Sequence, residues 1–173
     1  LPSGKLVACD PILIEEYGIP FTQQFPTGEF PVQLSIARQG PEERIAFARI
    51  KFSDEPVAKW AFALLKDQEP LPVGGKKMHG FVVDGGLGIF ADAETIKTLN
   101  TAPMQSLSDS VYREMDKHTH YDWRYNIHSS GNHNLAMFST GFGDGRYATY
   151  IGFDANDKPC RLLTDMDIFS WKQ

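Results

Sequence analysis

Phe138-Ser-Thr-Gly-Phe-Gly-Asp-Gly-Arg-Tyr-Ala-Thr-Tyr-Ile-Gly-Phe-Asp154 carries the strongest architectural signal in the chain. Gly141, Gly143 and Gly145 alternate through an apolar run, and Tyr147, Tyr150 and Phe153 follow in a strand-like segment. Glycine at this density marks backbone with positive φ or with a close neighbour. Asp144 lies at the apex, where a carboxylate is free to cap, coordinate or catalyse. The pattern predicts two strands joined by a sharp bend, with the acid as part of the scaffold.

Upstream, Phe30, Val32, Leu34 and Ile36 alternate with polar or small residues at a period of two. Gln39-Gly40-Pro41 then turns the chain, and Arg44–Phe52 alternates again, which predicts an antiparallel hairpin. Lys5–Cys9, Phe81–Val83, Leu135–Phe138, Tyr147–Phe153 and Cys160–Leu163 read as further strands. Trp60–Leu65 is apolar throughout and fits either a buried strand or a helical turn. Asp92 is placed to cap a helix over Ala93–Asn100. A second helix opens at Ser106 or Ser108, with Leu107, Val111 and Met115 recurring every fourth residue. Residues 10 to 28 read as a long loop with one helical turn, and Thr119–Gly131 as irregular. The sum is an α+β domain spanning residues 1–173: a mostly antiparallel, strongly bent sheet with two helices in the middle of the chain. Asp84-Gly-Gly-Leu-Gly-Ile-Phe90 echoes the Gly-rich bend, which repeated use of glycine at sheet corners explains.

Composition narrows the function classes. Apolar residues at 42% and charged residues at 23% are ordinary for a globular domain. A net charge of −5 without a basic run argues against a nucleic-acid or anionic-membrane surface. No segment reaches the roughly 20 apolar residues that cross a bilayer. Leu1 in place of Met fits a removed leader or a trimmed chain, so an exported or periplasmic compartment and the cytoplasm both stay open. Cys9 and Cys160 are either bridged or buried as free thiols.

Four segments resemble one family. They are Ser3-Gly-Lys-Leu-Val-Ala-Cys-Asp-Pro11, Pro26-Thr-Gly-Glu-Phe-Pro-Val32, Val83-Asp-Gly-Gly-Leu-Gly-Ile-Phe-Ala-Asp92 and the Gly-rich stretch 138–154. Their order and spacing are similar to the bacterial domain-of-unknown-function family number 4241. The chain departs from that pattern at Thr140, where Ser is usual, and at Phe30, where Tyr is usual. The resemblance implies a bacterial domain and no particular reaction. By analogy it suggests a non-enzymatic protein-binding module, such as a toxin-neutralising immunity or inhibitor protein, with a protein partner.

Candidate chemistry concentrates in two places. His118, His120, His128 and His133 fall close together, and in an extended segment His118, His120 and Asp122 share one face. No recognised ligand spacing is present there, so neither a metal nor a cofactor is expected. Asp144 paired with Asp84, or with a histidine such as His118 or His120, is the alternative reading as a hydrolase. Gly-x-Ser-x-Gly is absent, and the third glycine of 141–145 comes too early for a dinucleotide fingerprint. Asp154-Ala-Asn-Asp157 starts like a calcium loop but meets Pro159 where glycine is required. Tyr121, Trp123, Tyr125, Tyr147 and Tyr150 are the candidate recognition surface, since Tyr and Trp dominate binding hot spots. Tyr121-Asp-Trp-Arg-Tyr125, with its alternating aromatics and charges, is the part expected to be exposed. A carbohydrate- or peptide-binding groove lined by Trp123 and Tyr125 is the remaining alternative.

Overall fold

The computed structural model describes residues 1–99, 112–131 and 133–171. In chain order the strands begin with β1 (Leu6–Cys9), β2 (Val32–Gln39), β3 (Glu42–Lys51), β4 (Lys59–Phe62), β5 (Phe81–Val83) and β6 (Leu87–Asp92). They continue with β7 (Thr119–His120), β8 (Trp123–Ser130), β9 (His133–Ser139), β10 (Gly145–Phe153) and β11 (Pro159–Asp165). A 3-10 turn at Pro11–Leu13 leads into α1 (Ile14–Tyr17), α2 is Ala93–Leu99, and residues 112–116 are helical.

The strands form two antiparallel sheets. One runs β1-β6-β9-β8-β7 and the other β2-β3-β11-β10-β4, with β5 also paired to β10. The expected α+β fold, one bent sheet with two central helices, is therefore corrected. The protein is mostly β: strands take 43% of the described residues, and helices 12% in about three short pieces. The repeat that predicted a second helix falls at Leu107 and Val111, outside the described residues. Thr119–Gly131, expected to be irregular, instead supplies β7 and β8.

Burial explains which strands the sequence announced. Leu6, Ala8, Phe90 and Phe138 pack from the first sheet against Ile45, Ala48, Ile50, Ile151 and Leu162 of the second. The opposite face of the first sheet, with Val7, Cys9, Ile89 and Met137, is covered by Ile14, Ile96, Leu99 and Met115. Buried on both faces, β1 reads as an unbroken apolar run rather than an alternating one, while β6, between the Gly-rich turn and the Asp92 cap, carries no alternation and is not announced by the sequence. The second sheet's outer face is roofed in part, where Phe62 and Trp171 pack on Tyr150 at centroid distances of 4.8 and 5.5 Å. In the β2–β3 hairpin a bulge lies between Ser35 and Ile36, so Ile36 pairs with Ile45 while Ser35 pairs with Phe47. The extra residue, Ala46, reverses the alternation and brings Ile45 into the same core as Ala48 and Ile50.

Four buried aspartates hold the bends. Asp10 accepts the amides of Ile12 (2.9 Å), Asp84 (2.8 Å) and Gly85 (2.7 Å). Asp92 caps α2 through the Glu94 amide (2.8 Å) and also takes the Ser3 amide (2.9 Å). Asp154 accepts from Asn156 and Lys158, and Asp165 from the Asp167 amide and the Trp171 indole. A buried carboxylate is tolerable when donors surround it in this way. Cys9 and Cys160 are both buried and free, so no bridge joins them.

Candidate functional site

The Gly-rich bend is built from backbone contacts. Gly143 has φ +101, a conformation that a side chain resists, and its carbonyl accepts the hydroxyls of Thr140 and Tyr147, each at 2.8 Å. Gly145, by contrast, is an ordinary strand residue paired with Val83. Asp144 is exposed, and its Oδ1 accepts the Gly86 amide at 3.2 Å, which ties this bend to the Asp84-Gly85-Gly86 turn. The Asp84 side chain is exposed as well, while its amide is bound by Asp10.

The hairpin of β7 and β8 is the second feature. His120 pairs with Trp123 across a two-residue turn in which Tyr121 takes φ +48. Along β8, Tyr125 stands opposite Phe138 and Ile127 opposite Ala136, so both belong to the face that meets the second sheet. Trp123, two residues before Tyr125, packs on the same core. Beyond the edge of the second sheet that face is left to solvent. Tyr121 is 79% exposed, Ile127 54% and Tyr125 36%.

On this face four rings lie nearly parallel. His118 stacks on Tyr125 at 5.2 Å and His120 on Trp123 at 4.8 Å, while Trp123 and Tyr125 lie 6.1 Å apart at 22°. The ladder is anchored at both sides. The Trp123 indole donates to Glu43 of β3 (3.2 Å), and Glu43 is in turn paired with Arg38 (2.6 Å). Arg124, on the opposite face, reaches Asp116 at 2.7 Å and lies over the Tyr112 ring. Past Trp123 and Arg124 no other described strand pairs with the outer edge of β8. Ile127 continues the apolar row into a groove of about 690 Å³ between the sheets, where it joins Phe30, Val32, Ile50 and Phe90.

The structure thus brings His118, His120, Trp123 and Tyr125 together, with Tyr121 at the tip. It leaves Tyr147 and Tyr150 elsewhere, in the core, where burial also raises the Tyr147 phenol above its usual pKa. Among the described residues, no hydrogen bond or ion pair joins Asp144 or Asp84 to a histidine, and none forms a cluster able to hold a metal ion. Ile127 went unremarked in the sequence. The alternation of Trp123, Tyr125 and Ile127 was the signal that marked it.

Two antiparallel sheets, carboxylate-braced bends and a hairpin of stacked, partly exposed aromatic rings define this β protein. The chain belongs to the family described as protein of unknown function (DUF4241), whose model matches residues 1–164. No curated protein and no solved structure matches it. Among the described residues, no helix is long and apolar enough to cross a membrane.

Proposed function

We propose that this protein is a non-enzymatic protein-binding module, and that its most concrete form is a bacterial immunity or inhibitor protein that neutralises a toxin. The observation that supports the reading is the ring ladder of the β7–β8 hairpin, with Tyr121, Tyr125 and Ile127 turned to solvent beside a stretch of β8 whose outer edge pairs with no other described strand. Stacked rings lose little side-chain entropy on binding, because their neighbours already fix them, and aromatic residues carry most of the energy at interfaces. An edge free of other described strands offers backbone donors and acceptors that a partner strand can meet. Acidic charge suits a basic partner and speeds its capture.

The test is co-purification with the product of the adjacent gene, followed by titration of the isolated pair. A stable complex is expected, weakened by about 30-fold or more in Tyr121→Ser/Tyr125→Ser, the loss typical of hot-spot residues. Failure to form a complex, or a complex indifferent to that double change, overturns the proposal.

A further inference from the structure

β4 and β5 pair with the same edge of β10 from opposite ends, Tyr150 to Phe153 with β4 and Gly145 to Tyr147 with β5. Between them, at Ala148 and Thr149, the edge changes partner, and a pocket of about 180 Å³ opens there. Ala8, Phe21, Ala63 and Phe81 give it an apolar wall, and Arg146 joins that lining.

Arg146 is held in place and only partly used. One guanidinium nitrogen donates to the Gly80 carbonyl at 3.0 Å. Gly80 lies so close to β10 that a Cβ there would stand 2.6 Å from the Tyr147 carbonyl oxygen, so the anchor sits directly against that strand. Arg146 is exposed, and no described carboxylate lies within ion-pair distance of it. Guanidinium carries five donors in a planar fork that matches a carboxylate, so most of its capacity remains unspent. An apolar cavity of about 150 Å³ accepts benzene, so this volume suits one ring or a short branched chain with a carboxylate attached.

We propose that the pocket between β4, β5 and β10 binds a small carboxylate with an apolar body, its anionic end on Arg146 and its body against Phe21, Phe81 and Ala63. The inference is independent of the hairpin and of any protein partner.

Isothermal titration of the whole chain with benzoate and with benzamide tests it, since the two probes share a shape and differ in charge. Benzoate is expected to bind at least tenfold more tightly than benzamide. R146Q is expected to abolish that preference, and R146K to retain part of it. Amide resonances of Ala63 and Thr149 are expected to shift on saturation. Equal binding of the two probes, no binding of either, or shifts confined to other parts of the protein overturns the proposal. Should R146Q fail to fold, the benzoate-to-benzamide ratio in the wild type and in R146K decides it.

Discussion

Cys9 is fully buried in β1, and burial pushes its thiol up to about 12 from an ordinary 9.0, with Asp10 next to it adding to the shift. The thiol is therefore a core group and not a nucleophile, since the thiolate is the reactive form. It also ties stability to alkali. The unfolded chain releases the Cys9 proton near pH 9, while the folded chain holds it to about 12. Between those values the unfolded state binds fewer protons, so stability falls as pH rises and is unaffected below that window. The steepest loss from this group is about 1.4 kcal/mol per pH unit. Urea midpoints measured from pH 8 upward are expected to fall more steeply in the wild type than in Cys9→Ala. Parallel pH profiles would show that another group sets the alkaline limit. At this scale the sequence was informative where a side chain acts on its immediate neighbours, as in the Asp92 cap. It was silent on Asp10, whose partners Asp84 and Gly85 lie far along the chain.

Elements were legible according to how their faces are covered. The β2–β3 hairpin shows alternation because β2 has one wet face, and β1 and β6 show none because both of their faces are buried. β8 was missed for a different reason. Trp123, Tyr125 and Ile127 do alternate with Arg124, Asn126 and His128, but the row is only partly buried and the segment is polar and His-rich, a composition that also marks loops. The β7–β8 turn also carries a cost. Tyr121 at φ +48 occupies a region that costs a bulky residue on the order of 1 kcal/mol or more. Tyr121→Gly is expected to raise stability by about 0.5–1 kcal/mol, read from the urea midpoint, because the strain is relieved while few contacts are lost. The same variant is expected to bind the partner more weakly. A destabilised Tyr121→Gly protein would mean that the tyrosine ring supports the hairpin instead of serving a contact.

For the whole molecule, antiparallel pairing was readable, but the division into two sheets was not. Strands β3 and β11 pair across a long separation, Lys51 opposite Arg161, and no local pattern announces such a partner. The roof over Tyr150 depends on Phe62, far earlier in the chain, and on Trp171, the last described residue, so the sequence offered that tyrosine as surface when it is core. Because Phe90 and Phe138 of one sheet share a core with Ile151 and Leu162 of the other, neither sheet has a private interior on that side. The two are expected to unfold together. Trp fluorescence and far-ultraviolet circular dichroism should trace one coincident urea transition, and separated midpoints would divide the molecule into independently folding parts.

The pairing of β3 with β11 has a consequence for synthesis. Ribosomes deliver roughly 5–20 residues per second, so β3 waits on the order of 5–20 s for the strand that completes it. During that interval Ile45, Ala48 and Ile50 have only β2 beside them. A nascent chain in this state offers chaperones a sticky half-built ribbon, and its yield in a cell depends on how well that ribbon is sheltered until the last strand emerges.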